Sequence, residues 1–201
     1  MADFNNAYST IRCTCPKGMA SALQEEVKKL GYQVTNANYT GVELSGTLKD
    51  CMYLNLQLRC CHKVLYRVQY FKAKGPSDLY KALVQVPWED YLTLKAHFTI
   101  DNVTQNENIK DTRFASLKAK DAIADRFQQV YGKRPDSRSD KEQAVVFLFW
   151  KESDAAVFLD TSGQPLSRHG YRKRRVAAPL SEALAAAIVK TSGWQPDQPF
   201  V

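Results

Sequence analysis

Hydrophobic residues recur along the chain with two periods, about two residues and about one helical turn, and these periods predict its elements. The first third carries six elements in the order strand, helix, strand, strand, helix, strand. The four strands are predicted over residues 8–15, 33–38, 41–45 and 63–73. The first helix is predicted from Met19 to Leu30, with Gly31 as its cap, and the second has Leu48, Met52, Leu56 and Arg59 on one face. This order predicts an N-terminal ferredoxin-like βαββαβ domain over residues 1–75.

A second module follows after Gly75-Pro76. Its first helix is predicted to have Ser77 as its N-cap and to bury Leu79 and Leu83. The later elements are predicted as a strand over 96–103, a long helix over 113–131 and two buried strands over 144–151 and 155–160. These elements predict an α/β module over residues 76–157, so the fold class is α+β.

Residues 158–201 form a basic connector followed by a last helix. Pro179 is predicted at the first helical position, the helix is expected to end at Ser192-Gly193, and Leu180, Leu184, Ala187 and Ile188 share one face. The final PFV resembles the start of a strand without its continuation. We therefore expect the chain to be part of a longer protein.

Composition narrows the classes of partner. The 201 residues include 28 Lys and Arg against 21 Asp and Glu, which gives a formal charge of +7 and favours a polyanion. No window of about 18 apolar residues predicts a membrane span, and the N-terminal residues lack an export signal, so we expect a cytoplasmic protein without a membrane partner. The five cysteines, spaced C-x-C and C-C, favour free thiols over disulfides or a zinc site.

No segment has the pattern of a catalytic motif. The three histidines, His62, His97 and His169, are far apart in sequence and outside metal-ligand spacings. The chain has no nucleophile elbow, P-loop or G-x-G-x-x-G, and its acidic residues cannot be paired as acid and base from sequence. We therefore expect no catalytic residue and no metal site in these residues.

Two basic regions are the candidates for binding chemistry. The first is the helix over 113–131 with its following loop, in which Lys120 lies within an apolar arc made of Leu117, Ile123, Ala124, Phe127, Val130 and Tyr131. Interleaved aspartates make a solvated helix face an equally good interpretation there. The second is RHGYRKRR, which contains no acid and offers Tyr171 for stacking on an unpaired base.

Several segments are similar to a known family. FKAKGPSDLYKALVQVPWEDYL, TRFASLKAKDAIADRF and LDTSGQPLSRHGYRKRRVAAPLSEALAAAIVKTSGW follow in order, and CPKGMASALQEEVKKLGY opens the chain. They resemble the N-terminal half of the THUMP-domain RNA methyltransferases, above all the bacterial large-subunit ribosomal RNA guanine-N2 methyltransferases, whose relatives are also labelled N6-adenine-specific DNA methylases. The resemblance implies a ferredoxin-like domain over 1–75, a THUMP core over 76–157, and a linker with the first helix of a Rossmann-like methyltransferase domain over 158–201. An earlier start of the family's THUMP profile, near residue 45, stays open.

In that family the ferredoxin-like and THUMP domains together hold structured RNA, and the methyltransferase domain binds S-adenosylmethionine. The D-P-x-C-G-S-G-T type cofactor loop would begin just after Val201 and the N/D-P-P-Y catalytic motif further on, so the resemblance implies a chain that binds large-subunit rRNA without catalysing or holding the cofactor itself. The expected phosphate contacts are Arg113, Lys118, Lys120, Lys133, Arg134, Arg138, Arg168, Arg172, Lys173 and Arg175.

Three alternatives stay open for individual residues and for the chain. Phe71 and Tyr171 are further candidates for base stacking. The chain could instead be a protein-packing module whose basic stretch is a solvated linker, or the DNA-binding part of an adenine-specific methylase. The salt dependence of binding to structured RNA and to duplex DNA separates RNA binding, DNA binding and protein packing.

Overall fold

A computed structural model describes residues 6–94, 97–109, 111–135, 143–168 and 177–199. By their contacts the residues group into two compact units. The first consists of Met1–Tyr66 together with Gln164–Val201, and the second of Arg67–Gly163. In the described part of the chain, no helix is long and apolar enough to cross a bilayer.

The first unit has the predicted βαββαβ order. Its elements are β1 (Ser9–Thr14), α1 (Ala20–Lys29), β2 (Val34–Asn38), β3 (Gly41–Gly46), α2 (Leu48–Gln57) and the first residues of β4 (Lys63–Lys72). The strands are antiparallel in the order β2-β3-β1-β4, and Cys13 of β1 lies between Val42 of β3 and Val64 of β4. The ferredoxin-like prediction is confirmed.

Local signals explain where the helices of this unit start and stop. Gly31 adopts φ +88 after α1, the left-handed conformation that favours glycine, as the sequence predicts. Thr47 and Asp50 form a capping box at the start of α2: Thr47 Oγ1 accepts from Asp50 N, and Thr47 N donates to Asp50 Oδ2 at 2.7 Å. The capping box satisfies two backbone donors that the helix itself leaves unpaired.

The face of α2 on which the sequence places Leu48, Met52, Leu56 and Arg59 is not the face that the helix buries. Met52 and Leu56 are 63% and 70% exposed, whereas Cys51 and Leu54 are fully buried. The helix is rotated because Leu48, Cys51 and Leu54 continue into buried Leu58, and this row is more apolar than one that ends on Arg59.

The five cysteines all belong to the first unit and all carry buried free thiols. Burial raises the pKa of Cys15 to about 11 and that of Cys60 to about 12. Such thiols behave as small apolar side chains of the core rather than as nucleophiles at neutral pH.

The C-terminal segment of the chain belongs to the first unit. A short 3-10 helix (Leu166–Arg168) is held by the backbone of Leu166, whose N–H donates to the carbonyl of His62 at 2.8 Å. Helix α5 (Glu182–Thr191) packs against α1 and buries Ala183 and Ala187.

Two predictions about α5 are corrected. It begins after Ser181, whose hydroxyl accepts from Leu184 N at 3.3 Å, and not at Pro179. Leu180 and Ile188 are almost half exposed, because the helix turns its small alanines toward α1 and thereby lets the two helices approach closely.

The second unit is the predicted α/β module. It comprises the rest of β4, α3 (Pro76–Val84), a 3-10 helix (Trp88–Asp90), β5 (His97–Gln105), α4 (Thr112–Tyr131), β6 (Gln143–Lys151) and β7 (Asp154–Asp160). Its strand order is β4-β7-β6-β5, with β5 and β6 parallel and β6 and β7 antiparallel. Helix α3 packs on α4, and α4 packs on β5.

Two indole rings form the centre of this unit's core. Trp88 and Trp150 have no exposed surface, and their N–H groups donate to the carbonyls of Leu83 at 2.8 Å and Ala73 at 3.0 Å. The predicted N-cap Ser77 is wrong: Gly75 precedes the helix and Pro76 is its first residue, a position where the missing N–H of proline has no cost.

Candidate nucleic-acid interface

Helix α4 positions most of the candidate cations. The Asp111 side chain caps its start by accepting from Arg113 N at 2.9 Å, and Gly132 at φ 66 ends it. Its buried residues are Ala115, Ala119, Ala122, Ile123 and Phe127. The predicted apolar arc is therefore wrong in part, because Leu117, Val130 and Tyr131 are exposed.

The exposed side of α4 begins with an ion pair at its first turn. The guanidinium of Arg113 lies 2.9 Å from Asp111, and the two side chains are 87% and 50% exposed. Hydrogen bonds from Arg113 hold the pKa of Asp111 below its ordinary value. An ion pair this exposed is weakly held, so a phosphate can replace the aspartate as the partner of Arg113.

Four polar residues form a cluster between α3 and α4, which we call the Tyr80 cluster. Tyr80 donates from its hydroxyl to Asp125 Oδ2 at 2.6 Å, and Arg134 binds the other oxygen of Asp125. Lys118 Nζ lies 5.0 Å from the centroid of the Tyr80 ring, within range of a cation–π interaction. The hydrogen bond to Asp125 raises the pKa of Tyr80. The cluster thus fixes two candidate cations, Lys118 and Arg134, beside one carboxylate.

Lys120 and Lys133 differ from Arg113 and Arg134, which are held in ion pairs. Within the described residues neither has a carboxylate within ion-pair distance. Lys120 is half-buried on α4, and Lys133 is exposed just after Gly132. Their charges are therefore free for an anionic ligand.

Arg126 has a structural role. Its guanidinium makes a two-point pair with Glu89 of the 3-10 helix over Trp88–Asp90, with Nε donating to Oε2 at 3.0 Å. The two side chains are only 23% and 19% exposed. This pair ties the loop after α3 to the middle of α4.

Replacement of Glu89 by alanine is expected to lower the free energy of unfolding by about 1–2 kcal/mol at pH 7, because Arg126 then stays half-buried without its partner. The hydrogen bond from Arg126 lowers the pKa of Glu89 from its ordinary 4.5. The stabilisation is therefore fully present above about pH 4.5 and is lost as the pH falls through the lower folded pKa. Urea unfolding at pH 7 and pH 3 measures both, with Glu89→Gln as the matched uncharged variant. An unchanged stability of Glu89→Ala at pH 7 would contradict this role.

The remaining predicted contacts lie outside α4 or outside the described residues. Arg168 is exposed at the end of its 3-10 helix in the first unit. Arg138, Arg172, Lys173, Arg175 and Tyr171 lie outside the described residues. Phe71 is half-buried and packs against the core of the second unit. Helix α4 and the residues just after it thus carry the candidates Arg113, Lys118, Lys120, Lys133 and Arg134.

Sequence reasoning missed the partners that decide how available each cation is. No sequence spacing links Tyr80 to Lys118 or to Asp125, so these contacts follow only from the packing of α3 on α4. Among the described residues, α4 and the residues just after it carry three ammonium groups without an ion-pair partner and two guanidinium groups in ion pairs, those of Arg113 and Arg134. Such a surface can bind a phosphate backbone without reading base sequence.

Comparison with known families matches nearly the whole chain in three consecutive parts. Residues 10–65 match the RlmL ferredoxin-like domain, residues 73–160 the THUMP domain, and residues 169–201 the RMKL-like methyltransferase domain. The first two matches fall on the two compact units of the fold, and α5 lies in the third.

Curated proteins match this chain over most of its length. The ribosomal RNA large subunit methyltransferase K/L of Psychromonas ingrahamii is 38% identical over 180 residues, which are 89% of this chain and 24% of that protein. This chain therefore spans about a quarter of the length of the curated relatives that it matches.

Solved structures agree with the fold. A Listeria monocytogenes protein described as a predicted N6-adenine-specific DNA methylase superposes with a TM-score of 0.86 at 27% identity, over 96% of this chain and 50% of that one. A protein described as a methyltransferase and solved in complex with SAH gives 0.82 at 26% identity, over 96% and 51%.

Proposed function

Because the chain belongs to the family that carries the RlmL ferredoxin-like, THUMP and RMKL-like methyltransferase domains in this order, we propose that it is the RNA-binding, substrate-positioning region of a ribosomal RNA methyltransferase. The order of these three matches carries the proposal, and the relatives named ribosomal RNA large subunit methyltransferase K/L supply its substrate class. Large-subunit rRNA is then the partner, and guanine N2 the methylated atom. The free and exchangeable cations of α4 supply the phosphate contacts.

The methyl donor of the parent protein is S-adenosylmethionine in this proposal, in line with the related protein solved with SAH. An α/β methyltransferase holds such a cofactor at the carboxyl ends of a series of parallel strands. Of the segment matched to the methyltransferase domain, the described residues 177–199 contribute one helix, α5. We propose that this chain contributes binding and positioning, and that the cofactor and the catalytic step belong to the methyltransferase domain of the parent protein.

Titration with a folded rRNA domain and with a matched DNA duplex tests the proposal directly. Fluorescence anisotropy at two salt concentrations is expected to show tighter binding to the RNA and a steep loss of affinity with salt, because phosphate contacts release counterions. Equal or tighter binding to DNA would favour the alternative suggested by the Listeria monocytogenes relative. Absence of binding to either would leave a packing module.

Charge reversal of two lysines without an ion-pair partner, Lys120→Glu with Lys133→Glu, is expected to weaken RNA binding about ten-fold or more. The slope of log affinity against log salt is expected to fall by about 2, one contact per lysine. The matched control is Lys28→Glu with Lys29→Glu, which makes the same change of net charge on exposed residues of α1. An equal effect of both double variants would show that net charge, and not the α4 surface, governs binding.

A further inference from the structure

The parallel strands β5 and β6 end side by side, and two open cavities lie at the loops that follow them. The larger has a volume of 560 Å³ and is lined by Glu107, Asn108, Ile109, Asp111 and Phe114. The smaller has a volume of 400 Å³ and is lined by Lys74, Asn106, Glu107, Asn108, Glu152 and Ser153. Because Glu107 and Asn108 line both, we treat the two cavities as one groove, here called the β5–β6 groove.

The frame of the β5–β6 groove is held by backbone and amide hydrogen bonds. Asn106 donates from its amide to the carbonyl of Glu152, and Asn108 donates from its amide to the carbonyl of Lys74 at 2.8 Å. Asn106 Oδ1 accepts from Asn108 N at 2.8 Å, and Glu152 N donates to the carbonyl of Gln105 at 2.7 Å. The loops are thus fixed to each other before any ligand arrives, which lowers the entropy cost of binding.

These bonds use one N–H of the Asn108 amide and leave its carbonyl oxygen free to accept. In the described part of the chain, the carboxylates of Glu107 and Glu152 have no hydrogen-bond or ion-pair partner, whereas Asp111 is bound by Arg113. The available oxygens belong to Glu107, Glu152 and the amide of Asn108. The smaller cavity also holds the side chains of Lys74 and Ser153, whereas in the larger cavity the free oxygens are those of Glu107 and Asn108. In the larger cavity this arrangement disfavours a phosphate and favours a group that presents N–H donors.

The groove also has an aromatic side. Phe114 lines the larger cavity and is 49% exposed, beside half-buried Ile109. Exposed aromatic rings next to hydrogen-bonding side chains are the arrangement with which proteins hold unpaired bases, by stacking on one face and pairing with one edge. A stacking face and an acceptor edge are therefore available to one small planar ligand.

Resting on the proposed function, we infer that the β5–β6 groove binds an unpaired nucleobase of the RNA that carries an exocyclic amino group, namely cytosine, adenine or guanine. Carboxylate and amide oxygens accept from such amino groups, as Glu and Asp accept from cytosine N4. Uracil presents mainly carbonyl oxygens and would place them against the carboxylates. The α4 cations hold the phosphates, and the groove selects the base.

Binding of single-stranded 12-mers of rC, rA and rU to the full chain tests this inference by anisotropy. We expect rC and rA to bind several-fold more tightly than rU. Phe114→Ala is expected to weaken rC binding about ten-fold, within the range of one lost base stack, and Phe114→Leu, which keeps apolar bulk without a ring, about as much. Glu107→Gln is expected to reduce the preference for rC over rU, because an amide can also donate to uracil.

Asp121→Asn is the control for Glu107→Gln, since it removes one negative charge from an exposed residue of α4 that does not line the groove. Its preference for rC over rU is expected to equal that of the unchanged chain. Salt-sensitive binding of all three oligonucleotides with equal affinity would overturn the groove assignment and leave the proposed function intact. Lack of binding by any oligonucleotide or by the folded rRNA domain would overturn both.

Discussion

Replacement of Trp150 by alanine is expected to lower the free energy of unfolding of the second unit by about 3–5 kcal/mol. The indole is fully buried, so the change leaves a cavity at the centre of the core and removes a hydrogen bond to the Ala73 carbonyl. Denaturant unfolding followed by circular dichroism gives the free energy. Trp150→Phe, which keeps most of the volume and loses the N–H, is expected to cost about 1–3 kcal/mol.

Leu117→Ala is the companion variant. Leu117 belongs to the apolar arc that the sequence predicts for the core, yet it is 61% exposed. Its truncation is expected to change stability by less than about 0.5 kcal/mol. A loss for Leu117→Ala as large as that for Trp150→Ala would contradict the orientation of α4 described above.

The second large effect is expected at Gly41, the first residue of β3. A Cβ there would lie 2.3 Å from the carbonyl oxygen of Cys13 and 3.1 Å from Cα of Thr14, both backbone atoms of the neighbouring strand β1. Neither atom can move without shifting the sheet, so Gly41→Ala is expected to cost about 3 kcal/mol, near the upper end for overpacking.

Gly75→Ala serves as the control, because a Cβ at Gly75 meets no atom within 4 Å. Its φ of -158 is extended backbone that alanine also adopts, so the expected change is within about 0.5 kcal/mol. Thermal or urea unfolding of the two variants compares the positions. Equal free energies of unfolding of the two variants would show that the backbones of β1 and β3 can shift to make room for the added Cβ.

The sequence predicts the order of elements well and the orientation of two helices poorly. Strand and helix limits agree within a few residues because turn residues such as Gly31 and the period of apolar residues are local signals. The buried faces of α2 and α4 could not be read in the same way. On α4 the core face is built from Ala115, Ala119 and Ala122, small residues that carry little hydrophobic signal but allow close helix packing.

The sequence predicts which basic residues α4 carries, but not which of them are held in ion pairs. Arg126 and Lys120 look alike in sequence, yet Glu89, which lies 37 residues from Arg126, neutralises only the first. Only the fold brings such partners together, because ion pairs between distant segments have no sequence spacing. The β5–β6 groove was missed for the same reason: its walls come from loops after two strands that are adjacent in space and separated by α4.

The first unit is assembled from both ends of the chain, since α5 packs on α1 while the whole second unit lies between them in sequence. During synthesis, the N-terminal βαββαβ segment emerges well before the helix that completes its unit. The second unit can fold as a continuous segment, whereas closure of the first requires a loop of about a hundred residues. Prior folding of the second unit shortens the effective loop and thereby lowers the entropy cost of closing it. Variants that destabilise the second unit should therefore also slow the docking of α5, although they touch no residue of the first.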